Sequence, residues 1–284
     1  MTRRILAAAA AAALAVLIPA APAHASVAPG GFTRATVACP TGKVAVAGGT
    51  QVAGEGSRDF RTVLQESSPS GSLWLIAARN NDSTAHTIGL YAVCATAPSG
   101  YEVVRKDAVV TAGGFLRTYA VCPSGKVVLG GGAQVVGSGS ADFRTVIQET
   151  GPDSAMAGAL KLWRTAVSNN DSVAHTIGFF AVCANPPTGY EVVRRDVSVA
   201  AGGFLRTTAN CPAGKAVLGG GGQVIDSSGA NYQVVTQESA PGDAGGFGLF
   251  LTAMRNNGTA TRTVALLAVC ATSLPGYQIV PRYL

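Results

Sequence analysis

The apolar positions of this chain fall into short runs and not into helical stripes. His175 to Ala184, HTIGFFAVCA, is almost continuously apolar, as expected of a strand buried on both faces. Phe115 to Cys122 alternates in part, Lys126 to Val136 is valine-rich around a glycine cluster, and Arg144 to Glu149 is short. Leu162 to Ser168 and Tyr190 to Val199 complete a set of six predicted strands. No stretch keeps a sustained helical period, and glycine with β-branched residues disfavours helix throughout. The expected fold class is all-β.

The set occurs three times, and a repeat obliges each copy to take the same local structure. The strings CPTGKVAVAGGTQV, CPSGKVVLGGGAQV and CPAGKAVLGGGGQV open at Cys39, Cys122 and Cys211, each seven residues after a phenylalanine. YAVCA, FAVCA and LAVCA close the copies at Cys94, Cys183 and Cys270, and seven residues later stand Tyr101, Tyr190 and Tyr277. From the first cysteine to Gln51, Gln134 or Gln223 is 12 residues, and from there to Gln65, Gln148 or Gln237 is 14. Only the next stretch, to Trp74, Trp163 or Phe250, varies, at 9, 15 and 13 residues. Loops accept insertions and paired strands do not. Residues 67–72 and 151–159 are therefore read as loop tips.

Punctuation supports this division. Cys-Pro-Ser-Gly-Lys at 122–126 predicts a tight turn, with proline presetting φ and glycine taking the left-handed position. Asn80-Asn81-Asp82, Asn169-Asn170-Asp171 and Asn256-Asn257-Gly258 predict turns that use the tolerance of asparagine and glycine for positive φ. Glycine clusters inside a strand pattern predict a bulge, or a backbone passing too close for a Cβ. The units are assigned to residues 26–110, 111–199 and 200–284, with no low-complexity linker between them. Three units packed about a pseudo-threefold axis are expected, three small tandem sandwiches being the alternative.

Residues 1–25 are read as a signal peptide: Arg3 and Arg4, an apolar stretch from Ile5 to Ile18, then Ala23-His24-Ala25 before a cleavage at Ser26. Paired arginines leave both the general secretory and the twin-arginine route open. Cleavage leaves 259 residues with 19 basic and 15 acidic side chains, a net +4. The basic residues are scattered, so neither a nucleic-acid groove nor an anionic-lipid patch is expected, and no later segment has the length of a membrane span. The expected location is extracellular. All six cysteines lie beyond residue 25 at repeating positions, so the repeat selects the disulfides Cys39–Cys94, Cys122–Cys183 and Cys211–Cys270. Loops of this length give roughly 4 kcal/mol per bridge by chain entropy. No CxxC occurs, and no metal or cofactor is expected.

The candidate site residues are polar or aromatic positions that recur. Gln65-Glu66, Gln148-Glu149 and Gln237-Glu238 read either as ligand contacts or as cross-strand partners of Lys43, Lys126 and Lys215. Other acids recur in only two copies: Asp59 and Asp142 become Asn231, and Glu102 and Glu191 become Gln278. Catalysis by a carboxylate pair is therefore not supported, and no nucleophile–base–acid set assembles around His86 or His175. Trp74, Trp163 and Phe250 read as core residues or, if exposed, as platforms for sugar rings. Gly-Lys precedes the glycines and a strand follows it, the reverse of a phosphate-binding loop. Asn81, Asn170 and Asn257 match the N-glycosylation sequon; the turn reading suffices if the source is bacterial, whereas in a eukaryotic host they would be glycan sites.

The CPxGKxxxGGG motif followed by a YAVCA-type strand resembles a β-repeat of exported proteins from high-GC Gram-positive bacteria, over essentially all of residues 26–284. The resemblance implies a secreted β-domain and carries no activity or site residues. In architecture alone the expected arrangement is β-prism-like, similar to β-prism lectins and vitelline outer-layer proteins. The functional expectation is a non-catalytic binding module whose three units recognise polysaccharide or cell envelope multivalently. A structural coat protein, or an inhibitor-like module with a protein partner, is the alternative. Oligomeric state stays open.

Overall fold

The computed structural model describes residues 26–284 apart from 54–58, 138–140, 154–159, 226–232 and 243–247. The expected signal peptide lies outside the described residues. So do much of the second and third variable loops, and Asn231.

Each unit supplies six strands. The first holds β1 (Phe32–Ala38), β2 (Val44–Val52), β3 (Thr62–Ser70), β4 (Leu73–Asn80), β5 (Ile88–Ala95) and β6 (Glu102–Val110). The second holds β7 (Phe115–Val121), β8 (Val127–Val135), β9 (Thr145–Pro152), β10 (Leu162–Asn169), β11 (His175–Ala184) and β12 (Glu191–Val199). The third holds β13 (Phe204–Asn210), β14 (Ala216–Val224), β15 (Val234–Pro241), β16 (Leu249–Asn256), β17 (Arg262–Ala271) and β18 (Gln278–Tyr283). The described residues contain no helix.

The strands form three six-stranded antiparallel sheets, and each sheet draws on two units. Their orders are β1-β4-β3-β8-β11-β6, β7-β10-β9-β14-β17-β12, and β13-β16-β15-β2-β5-β18. The third sheet joins the last unit to the first, so the ring closes with pseudo-threefold symmetry. Strand exchange excludes three independent sandwiches. The three disulfides join within-unit cysteines as expected, and each ties two sheets. Cys39 follows β1 in the first sheet, for example, while Cys94 lies on β5 in the third.

The two halves of a sheet meet along a short seam. β3 pairs with β8 at Ser67↔Ala133, β9 with β14 at Thr150↔Gly222, and β15 with β2 at Ser239↔Thr50. Two features explain its shortness. Beyond the bridge each donor strand carries a proline, Pro69, Pro152 or Pro241, which has no N–H to extend the ladder. At the bridge the partner strand is bare. A Cβ on Gly132 would lie 1.9 Å from the Ser67 carbonyl oxygen, on Gly221 1.8 Å from that of Thr150, and on Gly49 1.6 Å from that of Ser239. The glycine cluster thus serves backbone approach, and a bulge adjoins it: the registers of β2 with β5, β8 with β11 and β14 with β17 skip Val46, Leu129 and Leu218.

At the axis the equivalent residues are Ala47, Gly130 and Gly219. A Cβ on Gly130 would fall 2.3 Å from the Val46 carbonyl oxygen and 2.9 Å from the Ala47 Cβ, so the centre holds one methyl group and not three. The next layer is aromatic on glycine: Trp74 lies over Gly48, Trp163 over Gly131 and Phe250 over Gly220.

The structure alters three local expectations. Ser67 to Ser70, and Gly151 with Pro152, lie within strands, so the variable tips are shorter than the sequence pattern suggested. The asparagine turns do not use positive φ. Asn80, Asn169 and Asn256 are fully buried and work through their side chains. The Asn80 amide donates to the carbonyls of Val27 and Thr84, and its oxygen accepts the Asp82 N–H. Positive φ in non-glycine residues falls instead on Arg61, Arg144 and Gln233.

A Gly130→Ala or Gly132→Ala substitution is expected to lower unfolding stability by about 3 kcal/mol or to prevent folding, because rigid backbone faces the new methyl. Ala47→Gly, which empties the crowded centre, should cost about 1 kcal/mol or less. Urea unfolding of the three variants checks this order.

Candidate functional site

The glutamates expected at a surface site lie inside the protein, on the seams. Glu66 is 2% exposed, and Glu149 and Glu238 are fully buried. One oxygen of Glu66 accepts the backbone N–H of Val135 at 2.7 Å, across the unit boundary. Glu149 does the same for Val224 at 2.7 Å, and Glu238 for Val52 at 2.5 Å. Each carboxylate also holds an arginine of its own unit. Arg34 Nε lies 2.5 Å from Glu66, Arg117 Nε 3.0 Å from Glu149, and Arg206 Nε 2.6 Å from Glu238. Burial pushes the Glu238 carboxyl above its ordinary pKa, against the opposing pull of Arg206 and the Val52 N–H.

The pairing expected with the recurrent lysines is therefore corrected. Lys126 reaches Glu102 and Lys215 reaches Glu191, both at 2.7 Å, while Lys43 donates to Gln278 at 2.7 Å. The glutamates' partners are arginines 32 residues upstream in every unit, a fixed spacing visible in the chain but not recognised from it. Geometry decides the outcome: the lysines stand just before β2, β8 and β14, whereas Arg34, Arg117 and Arg206 on the edge strands are in register with Glu66, Glu149 and Glu238 across Ala77, Ala166 and Ala253 of the intervening strand.

The glutamines are interior as well. Gln65 donates to Asp142, which also holds Arg79. Gln237 donates to Asp59, which holds Arg255. In the remaining copy Gln148 donates to Ser168 Oγ at 2.5 Å, and Ser168 stands where the other units have Arg79 and Arg255. Trp74 and Trp163 are 0% and 2% exposed. Their indole N–H groups donate to Ser67 Oγ at 2.9 Å and Thr150 Oγ1 at 3.0 Å. Phe250 is buried without needing an acceptor. These positions are framework: no aromatic face is open to a sugar ring, and no carboxylate of the three is open to a ligand outside the protein.

The surface that remains distinctive is one end of the ring. Antiparallel pairing brings the C-terminal ends of β3, β9 and β15 and the N-terminal ends of β4, β10 and β16 to the end that also holds the CPxGK turns and the loops following Cys94, Cys183 and Cys270. Cys39 N–H donates to the Ser72 carbonyl, Cys122 N–H to that of Lys161, and Cys211 N–H to that of Gly248, which holds the entry to β4, β10 and β16 beside the disulfides. At the middle of this end three loops meet, residues 96–101, 185–190 and 272–277.

They lock together in a cycle. Asn185 N–H donates to the Ser99 carbonyl at 2.9 Å, Thr272 N–H to that of Thr188 at 3.0 Å, and Thr96 N–H to that of Pro275 at 2.9 Å. Each loop closes on itself by a turn: Tyr101 to Pro98, Tyr190 to Pro187 and Tyr277 to Leu274, at 3.0–3.1 Å. Each tyrosine hydroxyl then donates to a backbone carbonyl of its own unit, of Ala45, Val128 or Val217. Burial raises all three phenol pKa values. Between the loops lies a cleft of about 380 Å³ on the pseudo-threefold axis. The sequence carried a signal for it, a cysteine-to-tyrosine stretch of constant length whose residues differ between copies.

A second cleft, of about 290 Å³, opens at the other end between the first and third units, beside Arg61, Asn81, Val235 and Arg255. Its Arg255 and Gln237 are already bound to Asp59. Among the described residues no cluster of His, Cys, Asp or Glu has the composition of a metal site, and no helix is long and apolar enough to cross a membrane. The chain matches no known family model and no curated protein.

Replacing Glu149 by Gln is expected to cost about 3–5 kcal/mol, because it leaves the guanidinium of Arg117 buried beside a neutral group. Thr96→Val, on the exposed end loops, should change the denaturation midpoint little. Chemical denaturation of both variants separates framework from surface.

Proposed function

We propose that the protein is a secreted, non-catalytic binding module that recognises polysaccharide or cell envelope through the end of the ring bearing the three proline-containing loops, residues 96–101, 185–190 and 272–277. The observation that carries this reading is the division of labour along the chain. The recurrent ionic residues of each unit are consumed by seams and sheet ends, while residues that differ between units gather at this end. A rigid framework with variable loops at one end is the usual plan of a recognition domain. A target that repeats, as envelope polymers do, would allow several molecules to engage together.

Export with removal of residues 1–25 belongs to the same reading, and three disulfides suit an oxidising compartment. The resemblance to exported β-repeat proteins agrees with it. Because Glu66, Glu149 and Glu238 are buried and hold the sheets, the proposed contacts are residues of the exposed end loops and not the Gln-Glu pairs.

Binding to purified cell wall and to a glycan array tests the proposal. Residues 26–284 should bind saturably, and Ala97→Glu or Ser72→Glu should weaken binding at least tenfold with folding intact. Ala112→Lys and Ala201→Lys, exposed at the opposite end, should leave it unchanged. Absence of binding to every envelope and glycan preparation would contradict the reading.

A further inference from the structure

We infer that the axial cleft is a single composite site for one neutral sugar residue, so that the molecule binds with one site on its axis and not with three equivalent sites on its units. The inference rests on reading this end as the recognition surface, and it adds the location, stoichiometry and chemical class of the ligand.

The argument begins with the lining. Thr96, Asn185 and Thr272 stand at equivalent positions around the axis, with Ser99 and Thr188 one turn further along two of the loops. None of the residues lining the cleft is ionisable. Thr96, Thr188 and Thr272 are exposed and make no side-chain hydrogen bond among the described residues, and the Thr96 and Thr272 hydroxyls lie beside the bare glycines Gly276 and Gly189 of the neighbouring loops, which leaves their hydrogen-bonding capacity for a ligand. Half-buried Pro98 and Pro187 supply apolar surface between them, while Leu274 at the equivalent position of the third loop is buried in the core. Neutral donors and acceptors interleaved with C–H faces match a pyranose, which presents hydroxyls at its rim and C–H groups on its ring faces. An anion would find no cationic side chain in the lining, and a large apolar ligand would strip water from the hydroxyls without replacing their hydrogen bonds.

Size and rigidity agree. A volume of about 380 Å³ lies near the lower end of ligand pockets, room for one sugar ring with a substituent. The cycle of three interloop hydrogen bonds and the three anchored tyrosines hold the lining in place before any ligand arrives, which lowers the ordering cost of binding.

The pattern of identity among the units is an independent observation. Gly100, Gly189 and Gly276, with positive φ of 69°, 69° and 66°, are the same residue in all three loops, as are the tyrosines. The lining differs: Asn185 replaces threonine, Leu274 replaces proline, and Ala97, Pro186 and Ser273 are three different residues. The loops keep the glycine and tyrosine of the turn and vary the residues that line the cleft. One asymmetric ligand on a threefold axis meets three different surroundings, and a lining that breaks the symmetry suits such a ligand.

The test titrates residues 26–284 with free hexoses and N-acetylhexosamines, and with glucuronic acid as the charged comparison, by calorimetry and by ¹H–¹⁵N spectra. At least one neutral sugar should bind with a stoichiometry of one and shift the amides of Thr96, Asn185 and Thr272. The double variant Thr96→Val, Thr272→Val should weaken binding at least tenfold, and Ser273→Trp should abolish it, both without a change in unfolding midpoint. Three equivalent sites, shifts confined to the hairpin tips, preference for glucuronic acid, or no response to any neutral sugar would overturn the inference. Envelope binding that survives in Ser273→Trp would also overturn it while leaving the end-face reading intact. Failure of the unmodified protein to bind any envelope contradicts that broader reading instead, and sugar binding in the cleft is scored separately.

Discussion

A carboxylate that belongs to one unit and accepts a backbone N–H of the next is the contact on which this architecture depends. Each sheet is assembled from two halves, and a single backbone bridge joins them. Proline ends the ladder on one side of that bridge, and bare glycine backbone lets the strands approach on the other. Glu66, Glu149 and Glu238 supply the hydrogen bond that a longer ladder would have supplied, at Val135, Val224 and Val52. Because the last seam joins the third unit to the first, all three must form for the ring to close.

Burying a carboxylate is costly, and an arginine beside it does not by itself turn the burial into a net gain. What the ion pair contributes here is placement. The guanidinium and the valine N–H fix both carboxylate oxygens, and slipping the seam by one residue would send the next side chain to the opposite face. The second unit carries an elaboration. Arg164 is buried within 3.3 Å of Glu149 and 4.0 Å of Asp153, where the other units have Leu75 and Leu251. The disulfides add closure at a different level, since each links two sheets and so resists splaying of the ring.

Much of this was legible in the chain. Three copies with fixed internal spacings gave six strands per unit, the all-β class and the disulfide pairing. Glycine inside a strand pattern pointed to bulges and close backbone approach, and both are present. Exchange of strands between units was not legible, because periodicity within a copy says nothing about which copy a strand pairs with. For the same reason Gln65-Glu66 and its equivalents looked like a surface motif: a polar pair on a strand reads as exposed unless its partner across the boundary is known. Asp59 and Asp142, replaced by Asn231, looked irregular for a related reason. Their partners Arg255 and Arg79 belong to neighbouring units, and where the aspartate is lost the arginine is Ser168. The axial loops escaped notice because their significance arises only when three of them meet.

Framework and surface are thus distinguishable in the chain itself: repeated glutamates, arginines and glycines hold the ring, and the axial loops keep a repeated Gly-Tyr turn while the residues lining their cleft differ between units. The seam account is tested most directly by native-state hydrogen exchange at the amides of Val52, Val135 and Val224. If the glutamate contacts are integral to ring closure, the three amides should exchange only through global unfolding and with the same free energy. Exchange of any of them by local opening several kcal/mol below that value would contradict the account.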